Sequence, residues 1–267
     1  MTPTLARRAG AVTLIAATTA ALAACGNGIG ARLTYDDTEK VKVSEVVLTG
    51  GSGDVKVATA AIADTRIKRI VRTNSGDDPQ VSYSLTGTVL SIDTSCGPRC
   101  SVSYEIQAPT GVAVKGRLGS GDIGLTDVAT ADVTVGSGDV YLQRATGAMS
   151  VKTGSGNIEA LGLRGPVTLV TGSGDVRATD LAGGHEVRAQ TSSGDVDVLL
   201  TEAASVTARA GSGDIDLSVP EGPYQVKSKH GSGDVSTVGI TDDPAAKLLI
   251  DVQTGSGDVQ VVGTPKA

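Results

Sequence analysis

The stretch Ala131-Asp132-Val133-Thr134-Val135-Gly136-Ser137-Gly138-Asp139-Val140-Tyr141-Leu142 contains the unit from which most of this chain is built. Gly-Ser-Gly-Asp begins at Gly51, Gly119, Gly136, Gly172, Gly211, Gly231 and Gly255, with variants at Gly154, where Asn157 takes the Asp place, and at Ser192. From Gly119 onward the intervals are 17, 18, 18, 20, 19, 20 and 24 residues. A fixed period of this length marks one supersecondary unit reiterated.

Five places before each corner stand Val114, Ala131, Met149, Val167, Val187, Val206, Val226 and Ile250. After the Asp come apolar pairs such as Val140 and Leu142, Val196 and Val198, and Val259 and Val261. Alternation with period two predicts strands with one face inward. A unit of under 25 residues cannot bury that face alone, so each coil must stack on the next at roughly 4.8 Å. Glycine permits positive φ and keeps the corner thin. The side chains of Asp54, Asp122, Asp139, Asn157, Asp175, Asp195, Asp214, Asp234 and Asp258 can accept hydrogen bonds from corner amides in the manner of an Asx turn. The predicted fold is an all-β, single-domain β-helix of about 18–20 residues per coil, on the order of 40 Å tall over residues 119–263.

Residues 38–118 are less regular and are expected to form a β-rich, hairpin-containing N-terminal cap with the first coils, or else a separate β domain. Within them, Cys96-Gly97-Pro98-Arg99-Cys100 suits a disulfide between Cys96 and Cys100 that staples a turn between two strands.

Composition agrees with a thin, regular interior. The 267 residues include 36 Gly and 5 Tyr but no Phe or Trp, so aliphatic side chains must fill the core. Beyond the first 24 residues there are 21 basic and 29 acidic side chains, a net charge of −8 that argues against nucleic acid as a partner.

The N-terminus reads as basic Arg7 and Arg8, an apolar run from Ala9 to Ala21 too short to span a bilayer permanently, then Leu22-Ala23-Ala24-Cys25. That tetrad resembles the lipobox of bacterial lipoproteins. The resemblance implies a signal peptide over 1–24, lipidation of Cys25 and a tether over 25–37, placing the protein on the cell membrane, facing the extracytoplasmic side. An ordinary secretory signal with an incidental cysteine is the alternative.

Ser-Gly-Asp followed by apolar-x-apolar, with Ala108-Pro109-Thr110-Gly111 ahead of the regular coils, resembles the "putative adhesin" family of bacterial extracytoplasmic β-solenoid domains. The resemblance spans roughly Val43 to Val262. It implies a surface domain, not an enzyme, that binds or scaffolds an envelope or surface protein or glycan, with a suggested part in adhesion or envelope-stress sensing. It supplies no cofactor and no binding residues.

Two other classes compete. Stacked carboxylates repel one another unless cations or hydrogen bonds offset the repulsion, so a calcium-binding structural repeat is one. A glycan-cleaving β-helix is the other; it needs a unique carboxylate pair, whereas here every coil repeats the same Asp. His185 and His230 have no nucleophile nearby in the pattern.

Overall fold

The computed structural model describes residues 31–73 and 82–265; Cys25 and the Asn74-Ser75-Gly76-Asp77 stretch lie outside them. The N-terminal part holds β1 (Ala31–Glu39), β2 (Glu45–Gly51), β3 (Val55–Ala60), β4 (Thr65–Thr73), β5 (Tyr83–Thr86), β6 (Val89–Thr94) and β7 (Cys100–Pro109). The regular coils follow as strand pairs on either side of each corner. They are β8 (Ala113–Ser120) with β9 (Ile123–Thr126), β10 (Thr130–Ser137) with β11 (Val140–Gln143), and β12 (Met149–Ser155) with β13 (Ile158–Leu161). Next come β14 (Val167–Ser173) with β15 (Val176–Leu181), β16 (Val187–Ser193) with β17 (Val196–Leu200), and β18 (Val206–Ser212) with β19 (Ile215–Pro220). The chain finishes with β20 (Pro223–Ser232), β21 (Val235–Val238), β22 (Thr241–Asp242), β23 (Leu249–Ser256) and β24 (Val259–Thr264).

These strands form two 12-stranded sheets facing each other across one aliphatic core, the β-solenoid that the period demands. Strands before the corner make one sheet, here the B face, and strands after it make the other, the A face. Pairing from β8 through β19 is parallel, and it is in register except for a shift between Ala178 and Leu181 where β15 meets β17, so Val133 lies beside Val151 and Val140 beside Ile158. Every inward position of the alternation is thereby covered above and below.

The order of stacking departs from the order of the chain at both ends. The coil formed by β23 and β24 is inserted between β18–β19 and β20–β21, so the Gly231 corner lies beyond the Gly255 corner. At the other end, β2 and β3 lie directly against β8 and β9, with the intervening residues forming outer rungs. The outermost coil is polar at places where its neighbour is apolar: Ser228 pairs with Val252 and Thr237 with Val261, while His230 lies beside Thr254. A polar outer face ends a stack that would otherwise continue growing.

Antiparallel pairing is confined to the N-terminal cap, between β1 and β4, β4 and β7, and β5 and β6. The Cys96–Cys100 disulfide is present, with Cα atoms 5.4 Å apart. Its turn is a corner and not a hairpin, because β6 belongs to the B sheet and β7 to the A sheet. Residues 31–37, read as tether from the sequence, instead form most of edge strand β1, with Leu33, Tyr35 and Asp37 partly buried in alternation with exposed neighbours. The two fully buried tyrosines, Tyr104 and Tyr224, sit in the end coils, where the aliphatic layers lose their regularity. Tyr224 donates to the Pro220 carbonyl at 2.9 Å.

Candidate interaction surface

The corner side chains form one continuous ladder. Asp54 Oδ1 accepts the backbone N–H of Asp122 at 3.2 Å, Asp122 that of Asp139 at 2.9 Å, and Asp139 that of Asn157 at 2.7 Å. The ladder continues through Asp175, Asp195 and Asp214 to Asp258, which accepts from Asp234. Each donor belongs to the neighbouring coil and not to the residue's own corner, so the bond fastens coil to coil. Ser103 Oγ accepts from Asp54 N–H and begins the series.

This geometry bears on the calcium reading. One carboxylate oxygen of each pair of neighbours is already engaged by an amide hydrogen, which offsets the repulsion that motivated a cation. Among the described residues, no three His, Cys, Asp or Glu side chains gather in an arrangement that could hold a metal.

Two features make the stacking tight. The third corner residue has positive φ throughout the regular coils, as at Gly138 (143°) and Gly174 (132°), and a Cβ there would overlap the carbonyl of the coil beneath. Just before the corner, buried threonines cap those carbonyls: Thr153 donates to Gly138 O at 3.0 Å, Thr171 to Gly156 O at 2.8 Å and Thr191 to Gly174 O at 2.9 Å.

With the recurring polar groups used in this way, recognition chemistry falls to the outer faces. On the A face, Asp36, Lys68, Glu105 and Lys56 lie side by side on four adjacent strands, with Lys68 Nζ 3.0 Å from Glu105 Oε2. They line a trough of about 530 Å³. Further along the same face, Tyr141 stands directly across from Gly124, which leaves the flank of its ring uncovered. Tyr141 and Leu161 are 44% and 45% exposed, two of the three large apolar side chains left in solvent among the described residues. Between them and Arg177 lies a second trough of about 310 Å³. The Asp139 carboxylate, 3.4 Å from the Tyr141 hydroxyl, raises the phenol's pKa, with desolvation and Glu159 adding to it.

The N-terminal end gathers tyrosines that look isolated in sequence. Arg69 lies between Tyr35 and Tyr104 in register, its guanidinium 4.3 Å from the Tyr35 ring centre. Tyr83 donates to Glu39 at 3.2 Å, and burial, followed by the charges of Asp37 and Glu39, drives its pKa upward. Only the pairing of strands distant in sequence reveals this grouping.

The fold and surface define a β-solenoid module with a hydrogen-bonded spine of corner side chains and two sheets whose outer faces are exposed. The chain belongs to the Toastrack DUF4097 family, whose profile matches residues 32–262. A search of curated proteins finds no match. Among solved structures, the chain is similar to a "putative lipid binding protein" from Parabacteroides distasonis, at 13% identity and a TM-score of 0.50, covering 90% of this chain and 98% of that one. It is also similar to a "putative adhesin" from Bacteroides fragilis (11% identity, TM-score 0.42, 86% and 97% coverage). A third is a "putative cell adhesion protein" from Clostridium sporogenes (12% identity, TM-score 0.29, 86% and 100% coverage). At these identities the likeness concerns the fold alone.

Proposed function

We propose that this protein is a lipid-anchored, extracytoplasmic binding module, held to the membrane through Cys25, that presents its A face to an envelope or surface partner. The observation that carries the reading is the exposed Tyr141–Leu161 pair beside a trough on the A face. Aromatic anchors next to a concavity are where binding energy concentrates at protein interfaces. The role is non-enzymatic: along the ladder from Asp54 to Asp258 the corner side chains, Asn157 among them, each accept an N–H from the neighbouring coil, a repeated structural task that marks out no unique acid–base pair at the corners. Adhesion is the activity that the names of the fold relatives suggest, and envelope-stress sensing is a narrower form of the same binding role.

Anchoring and binding are tested separately. Cys25→Ser should abolish palmitate incorporation and release the protein from the membrane fraction; undiminished labelling overturns the anchor. A photo-cross-linking residue at position 141 in intact cells should capture a discrete adduct that the same residue at Thr168, on the B face, does not. Equal capture from both positions would remove the A face as the binding surface.

A further inference from the structure

At the N-terminal end of the solenoid, three arginines from separate elements converge on one pocket. Arg32 in β1 pairs directly with Arg72 in β4, and Arg72 pairs with Ser101 in β7. Arg99 lies in the disulfide-closed corner that leads into β7, at φ 59°. Together with Ala31, Thr73, Cys100 and Ser101 they line a pocket of about 490 Å³ that has no acidic residue in its wall among the described residues. All three arginines are exposed, and among the described residues none makes a salt bridge.

This arrangement has a local cost. Like charges directly opposite on an antiparallel pair destabilise the sheet. A non-glycine residue at positive φ, here Arg99, is disfavoured as well. The cost is concentrated in a chain that is strongly acidic after residue 24, so the pocket is a cationic spot against the overall charge. An anion with several oxygens would offset the repulsion, and guanidinium groups match phosphate geometry.

Position along the chain identifies the anion. The pocket wall includes Ala31, and only five residues separate Ala31 from Cys25. Even fully extended, that connection spans at most roughly 20 Å. If Cys25 carries the lipid, the three arginines are held near the bilayer surface, where the field of anionic headgroups acts over about a Debye length.

We propose that Arg32, Arg72 and Arg99 form a docking site for the phosphate headgroups of an anionic bilayer, which seats the N-terminal end of the solenoid on the membrane and projects its other end away from it. The inference deepens the anchored reading above and rests on it, and its test does not require acylation in the cell.

With Cys96 and Cys100 paired, Cys25 is the only free thiol of the mature chain, so one alkyl chain can be attached there by maleimide chemistry. A single chain holds a protein only marginally, and a second, electrostatic signal becomes measurable against that background. Flotation is then compared on vesicles of phosphatidylcholine alone and of phosphatidylcholine with about one-third phosphatidylglycerol. The expected result is stronger partitioning onto the anionic vesicles, lost by roughly 100-fold in the Arg32→Gln, Arg72→Gln, Arg99→Gln variant. The three matching Arg→Lys changes should keep the share that charge alone supplies and lose the guanidinium–phosphate fit, so their partitioning should fall between wild type and the Gln variant; this variant also controls for folding. A variant at the opposite end, Lys227→Gln with Lys229→Gln, should behave as wild type.

Equal partitioning onto neutral vesicles overturns the proposal, as does an equal loss from the distal variant. Displacement by inorganic phosphate at constant ionic strength also overturns it, by making the pocket a site for the free anion. Absence of palmitate on Cys25 in cells would instead remove the anchor while leaving the vesicle result to stand by itself.

Discussion

Asn157 stands in a column otherwise made of aspartates, and its side-chain oxygen accepts the backbone N–H of Asp175 at 2.9 Å, as a carboxylate would. The ladder therefore depends on an acceptor oxygen at this place, not on a negative charge. Asp175→Asn is expected to change stability by less than about 0.5 kcal/mol, whereas Asp175→Ala, which strips the acceptor from the Asp195 N–H, should cost about 1 kcal/mol. Urea denaturation of the two variants separates a hydrogen-bonding role from a charge requirement.

The two corner glycines are unequal. Gly174 has φ 132° and would place a Cβ on the Gly156 carbonyl, so Gly174→Ala combines backbone strain with a clash and should cost about 3 kcal/mol or more. In the regular coils the first glycine of the corner does not have positive φ, and Ser192 already occupies that place in one coil, although a Cβ at Gly172 would still lie 2.5 Å from the Gly154 carbonyl oxygen. Gly172→Ser meets the carbonyl clash without the backbone strain and should accordingly cost clearly less than Gly174→Ala. Similar melting temperatures for the two variants would contradict the assignment of strain to the third position.

Ala210 interrupts the column of buried threonines, lying in register between Thr191 and Thr254. Its neighbours each donate to a glycine carbonyl of an adjacent coil, Thr191 to Gly174 and Thr254 to Gly213. Ala210→Thr restores the missing donor and is expected to stabilise the protein by roughly 0.5–1 kcal/mol. The converse change, Thr171→Val, removes the bond to Gly156 and should destabilise by a similar amount; thermal melts of both variants check the pair.

Much of this was legible in the sequence because a solenoid writes its rung spacing as a period. The corner at Gly136 and the apolar pair Val140 and Leu142 sufficed to place a strand, a turn and a strand, and the recurrence of Asp139's equivalents placed them in one column. Chain order and stacking order are different things, however. The 20- and 24-residue intervals at Gly231 and Gly255 look like slightly longer coils, and nothing in their alternation shows that the later one slips beneath the earlier. β1 was hidden because it has no corner and follows a glycine-rich stretch. The arginine pocket was hidden because Arg32, Arg72 and Arg99 are brought together only by antiparallel pairing in the cap.

Two carboxylates should impose opposite pH dependence. Burial, followed by the charges of Asp197, Asp214 and Asp195, raises the Asp216 pKa, so the folded state binds its proton more tightly than the unfolded chain does. Its favourable contribution is complete below the ordinary value of 3.8 and is lost as pH rises through the folded value. Asp216→Asn should therefore raise the melting temperature at neutral pH, with the advantage fading in acid. Asp127 shifts the other way, because Arg144 binds both its oxygens at 2.9 Å. The stability this pair adds is present above 3.8 and lost as pH falls through the lowered value. Both groups are largely exposed, so the effects should be small, and it is their signs that test the account.

Removing residues 249–267 is expected to behave unlike the trimming of a terminal repeat. In a solenoid stacked in chain order, loss of the last coil exposes one interface and leaves the remainder largely intact. Here β23 and β24 lie between β18–β19 and β20–β21, so the deletion strips the coil at Gly231 of its neighbour on both sheets. Asp234 would also lose the Asp258 acceptor for its N–H. The outer coil, polar at Ser228, His230 and Thr237, could not substitute for the missing one against Ala208 and Leu217 without burying those groups unpaired. Amide exchange in the truncated chain should therefore show residues 223–242 unprotected as well as a loosened β18–β19 rung. Persistent protection of β20 and β21 would mean that the two last coils do not interleave.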